Sequence, residues 1–212
     1  ADYRRGAGRP AISLRDAINA IARGELPGSQ SSFVSGGGAN IWERAPQLVL
    51  DRSNGLVVAW DNLDLGPGPN RVAVARIDLG NVSAGFSAPV MFGPPAADAD
   101  TPSPVVLPNG DLVVAFSKVV GGSFDLAFRR AASVAALAAA LDQTIQATAG
   151  QNDDLPAAIL SGSFVVFFYR MGNAQTLQYR RYQHVALSLD AAPNPVSGVA
   201  ITAHHEAVDS GG

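Results

Sequence analysis

Leu112-Val113-Val114-Ala115-Phe116 has two near copies in this chain of 212 residues, Leu56-Val57-Val58-Ala59-Trp60 before it and Phe164-Val165-Val166-Phe167-Phe168 after it. Each is a β-branched, apolar run that ends on an aromatic. Each follows a glycine turn: Asn54-Gly55, Asn109-Gly110 and Ser161-Gly162. The closing aromatics at 60, 116 and 168 stand 56 and 52 residues apart. A repeat of that length is a supersecondary unit that cannot keep its apolar face dry alone, so successive units must stack.

Four strands fit into each unit. Strand A follows a proline: 47–51 after Pro46, 105–107 after Pro104 and 157–160 after Pro156. Strand B is the apolar run, reached through a Gly- or Asn-bearing hairpin turn. Strand C covers 71–79, 124–131 and 176–183, and a weaker strand D covers 88–92, 144–147 and 198–202. Runs that are apolar on both faces are buried on both faces. A gradient from dry B to wetter C and D is what a β-propeller blade shows. The expected fold is therefore all-β: a propeller-type stack of about three four-stranded blades, forming a partial ring or one completed by association of chains. Residues 40–43, with Trp42, are expected to be a D strand of a blade begun elsewhere. The alanine-rich stretch 133–146 has helical propensity, and a short helix is expected there.

Residues 1–39 read differently from the repeat domain at 40–212. A basic arm (1–9) precedes Ser13 and Asp16, which resemble a capping box. Leu14, Ala17, Ile18 and Ile21 fall at i, i+3, i+4 and i+7, one face of a helix. Gly24 and Pro27 stop it, and 28–38 is a Gly/Ser linker. So short an amphipathic helix needs a surface to lie on. It is expected to anchor the chain to other subunits, which makes an oligomer the expected state.

Composition narrows the partners. Hydrophobic residues make up 47% and charged residues 16%, and the formal net charge is −3. Without a basic stripe there is no nucleic-acid footprint. The weakly polar stretch 131–141 is too short to span a bilayer. No signal peptide opens the chain, so work outside the cell would need another exit route or transport on a particle. Cysteine is absent. His204-His205-Glu206 would place its histidines on opposite faces of a strand, and no metal or cofactor is expected.

The repeat resembles the sialidase-type (BNR, Asp-box) propeller unit. Phe128-Arg129-Arg130 and Tyr179-Arg180-Arg181 resemble its strand C ending. Asp78-Leu79-Gly80, followed by Phe86-Ser87-Ala88-Pro89, resembles an eroded Asp box. The resemblance spans roughly 40–205. Segment 12–28 is similar to a short leader on phage-tail-like and contractile-injection-system proteins, which implies display on an extracellular or particle surface.

A sialidase would need an arginine triad, a Tyr nucleophile with a Glu partner and an acid/base Asp. Here Arg129, Arg130, Arg180 and Arg181 fall on strand C, away from the channel, and read as solvent-facing partners of nearby acids. Only Tyr169 closely follows an inner strand. Glu25, Glu43 and Glu206 adjoin no tyrosine. The expected function is a non-enzymatic structural or adhesive module that binds a protein or surface glycan through its rim loops. A sialidase-like carbohydrate-active hydrolase or a free lectin is the alternative. The loops before each strand A carry Asp100, Asp154 and Asp209, with Asp98, Asp153 and Glu206 behind. Together they form an acidic arc that could accept sugar hydroxyls or bind Ca²⁺ through oxygen ligands, or close turns as Asx motifs, the reading favoured because no EF-hand-like spacing is present.

Overall fold

The computed structural model describes residues 41–64 and 68–200. The expected anchor residues Leu14, Ala17, Ile18 and Ile21, the linker, His204 to Glu206 and Asp209 lie outside the described residues.

Three antiparallel sheets follow one another along the chain. Blade 1 is β1 (Ile41–Leu50), β2 (Gly55–Asp64), β3 (Arg71–Asp78) and β4 (Val90–Phe92). Blade 2 is β5 (Ala99–Val106), β6 (Leu112–Val120), β7 (Ser123–Ala131) and β8 (Gln143–Gln146). Blade 3 is β9 (Asp154–Ser161), β10 (Phe164–Met171) and β11 (Thr176–Gln183). Its fourth position is split between β12 (Ser188–Leu189) and β13 (Asn194–Ala200), which pair with opposite ends of β11. The first strands are neighbours, β1 beside β5 and β5 beside β9, so they lie innermost.

The blades stack through dry seams. Val57, Ala59, Val72, Val74 and Phe92 of blade 1 meet Leu112, Val114, Phe116 and Leu137 of blade 2. Val113, Ala115 and Phe128 of blade 2 meet Val165, Phe167 and Tyr169 of blade 3. In blade 2 strand B thus buries both faces, one towards each neighbour, whereas in blade 3 the face carrying Phe164, Val166 and Phe168 is only partly buried. Burying such side chains contributes about 1.5–3 kcal/mol each.

Register corrects the repeat at one point. Leu50 pairs with Leu56 and Val106 with Leu112, so residues 51–55 and 107–111 close the first two hairpins. In the third, Leu160 pairs with Val165, leaving only 161–164. That turn is one residue shorter. Counting from its glycine therefore slips strand B by one, which exchanges its two faces. The counterpart of Trp60 and Phe116 is Tyr169, not Phe168. The counterpart of Val58 and Val114 is Phe167, not Val166.

Two further expectations are corrected. Residues 41–44 are not a D strand; they form the first half of β1, paired with 61–64 of β2. The stretch 133–146 keeps only a 3-10 turn, Ala135–Ala138, because Gln143–Gln146 is drawn into the sheet beside β7. Tertiary pairing overrides the local propensity. Leu137 alone in that turn is buried, plugging the seam between blades 1 and 2.

Candidate functional site

Each innermost strand carries a bulge, and the bulge falls opposite the same strand B position in every blade. Pairing jumps between Arg44 and Gln47 in β1, between Asp100 and Ser103 in β5, and opposite Phe168 and Arg170 in blade 3. The skipped residues are Ala45-Pro46, Thr101-Pro102 and Leu155-Pro156. Thr101 (φ 49°) and Leu155 (φ 52°) are both left-handed, which side-chain-bearing residues rarely adopt. A following proline disfavours that conformation further. Strain repeated at one corner is a feature that functional sites retain.

The corners bring polar positions into register at the same end of the blades. Register aligns Arg44, Asp100 and Asp154 on the inner strands, facing Asp61, Ser117 and Arg170 on the second strands. Asp154 and Arg170 form a two-pronged ion pair, with N–O distances of 2.6 and 2.5 Å. Asp100 is half-buried, and its Oδ1 accepts from the Thr101 hydroxyl at 3.2 Å. That hydroxyl also meets Ser117 Oγ at 2.8 Å. Asp61 is buried, and its Oδ1 accepts from the Thr101 backbone N–H at 2.5 Å, tying blade 1 to the strained corner of blade 2.

The remaining acids of the expected arc divide by role. Asp98 closes a loop: its Oδ1 accepts from Asn70 N–H at 2.8 Å. Asp153 is not on the rim. It is fully buried between blades 2 and 3, where Oδ1 accepts from Gly172 N–H at 3.0 Å and Oδ2 has no hydrogen-bond partner. Burial pushes the Asp153 carboxyl above its ordinary value, and Asp125 pushes the same way, against the lowering influence of the nearby Thr148 and of the Gly172 N–H. Burial likewise pushes up the Tyr169 hydroxyl, which also lacks a partner.

The strand C arginines are not the solvent-facing residues expected. Arg130 donates to Asp111, to Tyr182 Oη at 3.2 Å and to the His184 carbonyl at 2.7 Å, strutting blade 2 against blade 3. Arg129 pairs with Asp142 and lies over the Phe92 ring of blade 1 at 4.7 Å. Arg180 donates to the Ile145 carbonyl. Only Arg181 is substantially exposed, and it pairs with Asp190. These arginines serve the seams. A groove of about 380 Å³ opens between the A–B hairpins of blades 1 and 2, away from the corners. There Asp51 pairs with Arg76 and Asp111 with Arg130, and Arg52 donates to the Leu107 carbonyl at 3.1 Å. Among the described residues, no group of three or more His, Cys, Asp or Glu is placed to hold a metal ion, and no helix is long and apolar enough to cross a membrane.

No protein-family model and no curated protein matches the chain. Solved structures match in fold. An α-L-arabinanase of Penicillium chrysogenum is 16% identical with a TM-score of 0.50, over 66% of this chain and 42% of that one. A thermostable family-43 glycoside hydrolase is 12% identical with a TM-score of 0.51, over 74% and 55%. An exo-β-1,3-galactanase of Phanerochaete chrysosporium is 11% identical with a TM-score of 0.52, over 77% and 38%. The chain thus spans about half or less of the structures it matches. They bear out a propeller, with neither a sialidase nor a phage-tail protein among those named. The named structures are glycoside hydrolases, which goes against the expectation of a non-enzymatic structural or adhesive module. Inferring no enzyme from the lack of a sequence motif fails in a fold whose reacting groups meet only in space.

Proposed function

We propose that this chain is the acid-bearing part of a carbohydrate-active propeller that cleaves glycosidic bonds where the inner-strand corners meet. The observation that carries the proposal is the repeated strained corner, which presents Asp100 and Asp154 at the same position of successive blades. The likeness in fold to glycoside hydrolases supports the chemistry.

Glycoside hydrolysis generally needs two carboxyl groups about the scissile bond, one giving a proton to the leaving oxygen and one acting as base or nucleophile. Asp154, gripped by both arms of the Arg170 guanidinium, suits the carboxylate role. Asp100, half-buried at the neighbouring corner, is the second carboxyl. Asp61 and Arg170 are positioning residues. Asp209 follows Asp154 by 55 residues much as Asp154 follows Asp100 by 54, and we include it as the corresponding acid of the arc. An Asp-box origin of the repeat is compatible with this reading: Asp78 Oδ1 accepts from Gly80 N–H at 2.8 Å, and Phe86 bridges to Ile77.

The test is sugar release from arabinan, β-1,3-galactan and an α-sialoside by the full chain. Release from one of them is expected, with Asp100→Asn and Asp154→Asn each lowering kcat by about 10²–10⁴. Release that persists in both variants would show that the reacting groups lie elsewhere.

A further inference from the structure

Asp153 occupies an unusual place. One residue before the aligned corner positions Arg44, Asp100 and Asp154 stand Glu43 in blade 1, Ala99 in blade 2 and Asp153 in blade 3. Ala99 and Asp153 are both fully buried, so blade 2 makes the same packing with a methyl group. A carboxylate there costs desolvation that alanine does not.

The aromatic at the end of strand B varies in step. Where the position before the corner reads Glu43, Ala99 and Asp153, the strand B aromatic reads Trp60, Phe116 and Tyr169. An acid accompanies a ring with a donor, and alanine accompanies a ring without one. Tyr169 Oη and Asp153 Oδ2 are both buried on the seam between blades 2 and 3 without a hydrogen-bond partner, and Trp60 Nε1 shares that condition in blade 1. Orphaned buried groups are rare and ask for a reason.

We propose that Asp153 and Tyr169 are a buried positioning pair: the Tyr169 hydroxyl serves Asp153 Oδ2 through one bridging water, and the pair fixes the corner that presents Asp154. Asp153 reaches the far side of that corner through Gly172 N–H, which closes the turn after Tyr169, Arg170 and Met171. The pair therefore clamps both the residue before Asp154 and the strand that carries Arg170. The charged groups acting on it are Asp125 of β7, itself influenced by Lys118 of β6, and Arg180 of β11. The positioning role rests on the proposed hydrolytic reading; the pairing itself does not.

A double-mutant cycle in the full chain separates the two. Asp153→Ala with Tyr169→Phe copies the Ala99 and Phe116 combination of blade 2, so the double variant is expected to fold. Each single change is expected to lower the melting midpoint, and the double change to cost clearly less than their sum. Amide exchange at 154–157 is expected to quicken in both single variants. In Asp153→Asn, the acid limb of the pH–rate profile is expected to move. Additive losses, or exchange unchanged at the corner, would overturn the pair. A coupled pair whose Asn variant keeps the wild-type pH–rate profile would overturn the positioning role. A wild-type chain that cleaves no glycan would sink the hydrolytic reading and the positioning role with it, while the cycle and the exchange data would still decide the pairing.

Discussion

Asp61 of blade 1 holds the backbone N–H of Thr101 in blade 2 at 2.5 Å, so a buried carboxylate of one blade stabilises the strained corner of the next. A hydrogen bond to a charged acceptor contributes about 1.5–3 kcal/mol. Asp61→Ala is expected to lower stability in urea by that amount and to reduce sugar release. Asp61→Asn, which keeps an acceptor, should lose less of both. Equal losses in the two variants would mean that the charge, rather than the hydrogen bond to Thr101, is what matters.

The left-handed corners make a second prediction. Glycine adopts positive φ without the penalty that Leu155 and Thr101 bear at 52° and 49°. Leu155→Gly should therefore leave stability within about 1 kcal/mol of wild type, strain relief offsetting lost contacts. The freed corner should nonetheless present Asp154 less firmly, so kcat should fall more than the midpoint moves. A kcat unchanged by Leu155→Gly would remove the corner from the mechanism.

The same corner shows what could and could not be read from the chain. Blades 1 and 2 were legible because their hairpins are equally long and strand B carries a distinctive apolar run. The third blade misled by one residue because its turn at 161–164 is shorter, a difference visible only once Leu160 pairs with Val165. The slip hid the alignment of Trp60, Phe116 and Tyr169. Prolines 46, 102 and 156 all mark the corners in the sequence, but only Pro46 and Pro156 read as strand starts. Pro104 stands in for Pro102, because a proline two residues further along gives the same local cue. Asp153 was read as a rim acid, since two adjacent aspartates carry no sign of which one turns inward.

Ser103 makes a third prediction. Its hydroxyl oxygen accepts from Ala158 N–H at 2.8 Å inside the seam between β5 and β9, where both residues are buried. Removing the acceptor strands a buried N–H, which costs about 1–3 kcal/mol. Ser103→Ala is expected to lose that much in equilibrium denaturation, with little change in overall fold. Ser83, an exposed residue whose hydroxyl reaches only Asn81, should tolerate the same change within about 0.5 kcal/mol. A silent Ser103→Ala would mean that Ala158 N–H finds another acceptor.

Stability against pH should carry two opposite slopes. Asp51, Asp111 and Asp190 are held below the ordinary carboxylate value of 3.8: for Asp51 and Asp190, burial pushes upward but is outweighed by hydrogen bonds led by Arg76 and Arg181, and for Asp111, Asn109 leads with Arg130 behind burial. Their contribution is present above 3.8 and is lost as pH falls through the depressed folded values. Asp153 runs the other way. Burial raises its folded value above 3.8, so between those two values the unfolded chain has released a proton that the folded chain still holds. Folding is then opposed more strongly as pH rises through that window, and the loss levels off once the folded carboxyl ionises as well. Asp153→Asn keeps the acceptor for Gly172 N–H and removes the ionisation. Its melting midpoint should match wild type below the ordinary value and exceed it by a margin that grows as pH rises above that value and then levels off, each 1 kcal/mol of it reading as roughly 2–4 °C in a chain of this size. A constant offset between the two proteins across that range would show that the Asp153 carboxyl titrates alike in folded and unfolded chains.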